Sequence, residues 1–228
     1  MKDALSVYKP LSGLIQQLFL AFLTLFVFCG LPAMAYGQAR VSQFTSNSVH
    51  PHSITVNYPD ADCAVIPAAY AVTAGGNTIT FNTSATSPFQ IIRQSENEDC
   101  SITADFPLNT KVLAVNTVTK GTRPALTITF ATGVTEMEFQ AQIFGFGTER
   151  FTFEVYNGEE SLAVFTVEDQ MDYTQTGQKG YIGARTSGND LITKVKVWAE
   201  FPDDPKHNEA VANKFAIGPV SFRLDRDQ

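Results

Sequence analysis

Cysteine, histidine and tryptophan are all scarce in this chain: three, three and one in 228 residues. No two cysteines form a CxxC pair, and neither HExxH nor GxSxG occurs. The sequence therefore offers no zinc ribbon, no helix-borne zinc protease site and no nucleophile elbow. After residue 35 no stretch of twelve or more residues repeats its apolar positions at 3.6-residue spacing, which excludes a helical bundle. Basic residues are outnumbered, 16 against 23 acidic ones, for a formal net charge of −7. That balance disfavours nucleic acid and anionic membrane as partners.

What is present begins with an apolar run, "LFLAFLTLFVFCGL" at 18–31, preceded by Lys2 and Lys9 and followed by "AMA" at 33–35. At about 14 residues the run is shorter than the roughly 20 needed to cross a bilayer as a helix. Ala33-Met34-Ala35 suits signal peptidase. Residues 1–35 read as a secretory signal peptide cleaved before Tyr36; the alternative is an uncleaved amino-terminal anchor. Cys29 follows Phe28, where a lipoprotein leader carries a small residue, so it leaves with the peptide. About 193 residues remain, enough for one domain with a sizeable core. They divide into a flexible amino-terminal segment, 36–52, and a single β-sandwich domain, 53–228. The expected localisation is secreted, extracellular or periplasmic, with no membrane attachment after signal cleavage.

Cys63 and Cys100 survive processing, and an exported chain with a single pair is expected to join them as a disulfide. The loop closed is about 37 residues, which in the chain-entropy picture contributes roughly 3–4 kcal/mol.

From residue 53 onward the apolar pattern has period two. In "EMEFQAQIF", Met137, Phe139, Ala141 and Ile143 alternate with Glu136, Glu138, Gln140 and Gln142, predicting one core face and one wet face. "RFTFEVY" follows after "GFGTE", and "NGEE" at 157–160 then turns the chain into "SLAVFTVE", since Asn-Gly takes the positive φ angles of a hairpin turn. These three segments read as a meander. Further strands are expected at about 53–58, 69–73, 77–82, 89–93, 111–116, 125–131, 180–185, 191–201 and 214–224. Gly218-Pro219 divides the last of these by a bulge, because apolar parity changes across it. So many short strands in one domain predict an all-β fold, a two-sheet antiparallel β-sandwich of jelly-roll type.

The order "LTITFATGVTEMEFQAQ", "FTFEVYNGEESLAVFTVE", "GYIGARTSGNDLITKVKVW" and "NKFAIGPVSF" resembles the secreted bacterial β-sandwich proteins of the PEP-CTERM-associated, carbohydrate-binding-module-like type, over about 122–222. The resemblance implies a jelly roll and a role among extracellular polysaccharide or surface proteins. The sorting tail of that group is absent. Gly218 stands where the pattern carries an aspartate that in similar jelly rolls helps hold calcium, so that calcium position is not carried over.

For catalysis, Glu136 and Glu138 share one strand face, but outward parity reads as solvated surface. Glu168, Asp169 and Asp172 do not match the carboxylate spacing of sandwich-type glycosidases. Asp60, Asp62, Asp203 and Asp204 offer oxygen ligands for a surface calcium; no other cofactor is implied. Sugars are bound by flat aromatic faces, and Trp198, Tyr156 and Tyr181 are the candidates by parity. Packing against loops is the competing role for all three. The sequence is thus read as an exported, non-enzymatic sandwich that binds extracellular polysaccharide. A structural or surface-protein interaction module is the alternative, and a secreted glycosidase the third reading.

Overall fold

The computed structural model describes residues 40–44, 53–83, 89–94, 101–102, 106–115, 126–143, 148–170, 180–200 and 215–224. All belong to one compact unit, Ala39–Gln228. Residues 1–35, where a signal peptide is expected, lie outside the described residues.

Among the described residues every regular element is a strand: β1 Val41–Phe44, β2 Ile54–Val56, β3 Val65–Ile66, β4 Ala69–Ala74, β5 Asn77–Thr83, β6 Phe89–Gln94, β7 Ser101–Ile102, β8 Lys111–Val115, β9 Leu126–Ile143, β10 Thr148–Asn157, β11 Glu160–Gln170, β12 Tyr181–Thr186, β13 Ile192–Glu200, β14 Phe215–Ile217 and β15 Val220–Leu224. All pairings are antiparallel except that of β6 with β7.

β9, 18 residues long, organises both layers. Its first part lies between β5 and β13, giving the order β4-β5-β9-β13-β10-β11. Its later part lies between β12 and β15, with β1 beyond β12 and β2 beyond β15. Its end pairs with β14, which leads on to β8, β6 and β3. The buried positions are Leu126, Ile128 and Phe130 at first, then Met137, Phe139 and Ala141, so parity changes between the two parts. The change falls where the registers of β13 and β15 both shift, the signature of a bulge. Buried Asn77 satisfies the irregular backbone there: Nδ2 donates to Thr132 O and Oδ1 accepts from Thr132 N, each at 2.8 Å.

The layers pack face to face around one core. Phe151 meets Phe215 with ring centroids 5.9 Å apart, and Phe130 meets Phe222 at 5.7 Å. Tyr58 sits 5.9 Å from Phe81 and donates its hydroxyl to Gly218 O at 2.9 Å. The chain is therefore an all-β, antiparallel β-sandwich, as the alternation predicts.

Three expectations are corrected. The meander holds only for β10 and β11, joined at Asn157-Gly158 with Gly158 at φ 60°. β13 is inserted between β9 and β10, because β9 leaves the first layer before the chain returns. The segment 36–52 is not wholly flexible: Val41–Phe44 forms β1 against β12, with Val41 buried. Finally, Glu136, Glu138, Gln140 and Gln142 do not face water; all four are buried on the outer side of β9. The Gly218-Pro219 break is where expected. There Gly218 N donates to Gln140 O at 2.8 Å, and beyond the β9 pairing that both share, β14 goes on to β8 and β15 to β2.

Candidate functional site

The outer face of the first layer is built by alternation. Val195, Val197 and Ala199 of β13 point into the core, which turns Lys194, Lys196 and Trp198 outward. Register then places Thr152 of β10 opposite Trp198, and Thr166 of β11 opposite Thr152. On the other flank Thr127 and Thr129 of β9 stand opposite Lys196 and Lys194. The result is a half-buried tryptophan on a pleated face lined by threonine hydroxyls.

Tyr156 belongs to this face but is no platform. It keeps the outward parity of Thr152 and Glu154, opposite Lys194, yet it is only 8 % exposed. The ammonium groups of Lys194 and Lys196 lie 4.6 and 5.0 Å from its ring centroid. Burial, with the Glu154 hydrogen bond second, pushes its hydroxyl pKa up to about 12. Hydrogen bonds from Ser161 and then from Tyr156 hold the Glu154 carboxyl below its ordinary pKa. Lys194 is further tied to Glu159 at 2.9 and 3.0 Å. Arg150 donates through Nε to Glu168 at 2.6 Å.

The third aromatic, Tyr181, is half-buried in β12 opposite Gln140, in the other part of the sandwich. It shares its surroundings with the polar row of β9. Arg185 grips Glu136 with two bonds, Nε to Oε2 at 2.9 Å and Nη2 to Oε1 at 2.8 Å. The same guanidinium lies 5.5 Å from the Phe44 ring centroid. Glu138, between Gly183 and Ser221 in register, is 5 % exposed, and its Oε2 makes no hydrogen bond among the described residues. Burial, then the neighbouring Glu136, raises its pKa, against the pull of Arg185. Burial and the Glu138 charge likewise raise that of Tyr181.

Parity foretold that the Glu136–Gln142 row points outward but not that it is covered. The cover comes from remote segments. Phe44 crosses over Gly183, and Phe106 lies against Gly218 beside Gln140, within an apolar cluster with Ile92, Val112, Ala114 and Ala216. Amides in place of charges at 140 and 142 are the one sequence feature that hinted at it.

Of the expected calcium ligands, Asp60 accepts the Tyr70 hydroxyl through its carboxylate and the Lys111 ammonium through its carbonyl, and Asp62 also has a partner. Asp203 and Asp204 lie outside the described residues. Among the described residues no three His, Cys, Asp or Glu gather as a metal site. Cys100 is also outside them, whereas Cys63 is exposed with φ 67° and donates its N–H to Ile91 O. β8 occupies one edge of β6, so β3 and β7 share the other. That edge brings Cys63 beside Ile91 and Ser101 opposite Arg93.

No known family model matches the chain, and no curated protein matches it. Among solved structures it is similar to a low affinity xylan binding module, CBM86, from the gut symbiont Roseburia intestinalis. The two are 12 % identical at a TM-score of 0.30, over 81 % of this chain and 96 % of that one.

Proposed function

We propose that this chain is an exported, non-catalytic sugar-binding module that lays an extended polysaccharide across the outer face of β9, β13 and β10, with Trp198 as the stacking surface. The observation that carries the reading is the placement of Trp198. An indole stands on a pleated face with threonine hydroxyls on the neighbouring strands, Thr152 and Thr166 in register with it. An apolar ring face suits the C–H face of a pyranose, and the hydroxyls supply donors and acceptors to sugar hydroxyls. The non-catalytic half rests on the carboxylates. Glu154, Glu159 and Glu168 on or beside this face are engaged by Ser161, Lys194 and Arg150. Glu136 and Glu138, which share one face of β9, are buried on the other layer, away from any substrate on this face.

Affinity gel electrophoresis against a panel of plant and bacterial polysaccharides tests it. Retardation by at least one polymer, lost in a folded Trp198→Ala variant, is the expected result. Retardation unchanged by that substitution removes the platform. A folded protein that binds no polymer favours a structural or protein-interaction role. Release of reducing sugar overturns the non-catalytic reading.

A further inference from the structure

The chemistry beside Trp198 specifies its ligand further. Lys194 and Lys196 leave the same face of β13, yet they are held differently. The Lys194 ammonium is committed to both oxygens of Glu159. Lys196 has no hydrogen bond or ion pair among the described residues. What holds its ammonium is the Tyr156 ring, 5.0 Å to the centroid, within the field of the Glu154 carboxylate. A ring face attracts an ammonium but consumes none of its three N–H donors. The Glu154 carboxylate already accepts Ser161 Oγ at 2.6 Å. Lys196 is thus a positioned cation with donors to spare.

It is also the outward neighbour of Trp198, two residues away on one strand face, roughly 6.7 Å along the strand. The ammonium leans over Tyr156, the register partner of Lys194, and so lies on the side away from Trp198; the substituent that meets it belongs to the next sugar along the chain rather than to the one stacked on Trp198. We infer that the polysaccharide is acidic, a polymer bearing uronate carboxylates, with Trp198 stacking the ring and Lys196 receiving the carboxylate. The inference rests on the reading of Trp198 as the platform. General attraction does not produce such a preference here, since the chain carries a formal net charge of −7 and repels polyanions at long range.

The test measures dissociation constants at fixed ionic strength for polygalacturonate, alginate and glucuronoxylan. Each is paired with its carboxyl-reduced, neutral counterpart, and dextran sulfate serves as a polyanion control. At least one acidic polymer is expected to bind about tenfold more tightly than its reduced form, the scale of one charge-assisted hydrogen bond at a partly solvated site. Lys196→Met, which keeps the apolar stem, is expected to remove that difference by weakening the acidic polymer far more than the reduced one. Trp198→Ala is expected to lose both. Equal affinity for acidic and reduced polymers, still dependent on Trp198, overturns the acidic assignment and leaves the platform standing. Dextran sulfate bound as tightly as the best uronate polymer overturns it too, as does a Lys196→Met variant that keeps the preference. Absence of binding to every polymer overturns both readings.

Discussion

The ring of Phe151 on β10 meets the ring of Phe215 on β14 edge to face, 5.9 Å between centroids and 76° between planes. Both rings are buried, and the contact joins the two layers of the sandwich. Each alone is expected to cost about 3–5 kcal/mol when cut to alanine, through lost burial and the cavity left behind. The double variant should cost less than the sum by about 0.5–1.5 kcal/mol, the extra worth of an edge-to-face pair. Urea denaturation of the four proteins measures this. Strict additivity would mean that the layers do not dock through these rings.

Gly183 supports β1 by having no side chain. A Cβ there would stand 2.2–2.6 Å from three atoms of the Phe44 ring, closer than packed atoms come. β1 is four residues long and among the described residues pairs only with β12, so the ring and its strand would give way. Gly183→Ala is expected to destabilise by about 1–3 kcal/mol. Phe44→Ala in the same chain should restore most of that loss by clearing the space. The idea fails if the double variant, in the same urea assay, is no more stable than Gly183→Ala alone. Gly158→Ala is a useful contrast: nothing lies within 4 Å, and only its φ of 60° opposes a side chain, at about 1 kcal/mol.

Cys63 and Cys100 are expected to be joined in protein produced in an oxidising compartment. β3 and β7 run along the same edge of β6, which brings Cys63 and Ser101, the residue after Cys100, to neighbouring positions. Alkylation without reductant followed by mass spectrometry should find neither thiol labelled. Reduction should lower stability by up to roughly 3–4 kcal/mol for a loop of this length. Two labelled thiols would rule the bond out.

These particular residues show what a sequence can carry. The β10–β11 hairpin was legible because Asn157-Gly158 is a local device, and the break at Gly218-Pro219 because parity changes within a few residues. The buried members of β9 and β10, Met137, Phe139, Phe151, Phe153 and Val155, followed from period two alone. What could not be read was non-local. Nothing near 136–142 announces that Phe44 and Phe106 cover that face, nor anything near 143 that β13 will enter between β9 and β10. Tyr156 has the outward parity that counting gave it, but its ring is covered by Lys194 and Lys196 of a strand far away in sequence, which no local pattern announces. Trp198 lay where alternation put it, yet its neighbours Thr152 and Thr166 depend on which strands pair.

Glu138 makes the stability of the fold depend on pH in a predictable sense. Its carboxyl is buried, Oε2 has no hydrogen bond among the described residues, and burial followed by Glu136 raises its pKa despite Arg185. A raised pKa means that the folded chain holds this proton more tightly than the unfolded one. The contribution to stability is therefore fully present below the ordinary glutamate value of about 4.3 and is lost as pH rises through the folded value. At neutral pH the site carries a poorly solvated charge beside a second carboxylate. Glu138→Gln keeps the shape without that charge, and is expected to be more stable than the parent at pH 8 by about 1 kcal/mol. The advantage should shrink as pH falls to about 4, where the folded carboxyl is protonated and the unfolded one mostly so. The carboxyls of Glu154, Glu159 and Asp190, held low by their own partners, are present in both proteins and cancel in the difference, whereas Glu136 and Arg185 feel the Glu138 charge and are part of the effect measured. Urea midpoints for the two proteins at several pH values between 4 and 8 decide it. A difference that does not vary with pH, or a glutamine variant that is the weaker protein at pH 8, would show that Glu138 is solvated and its charge compensated.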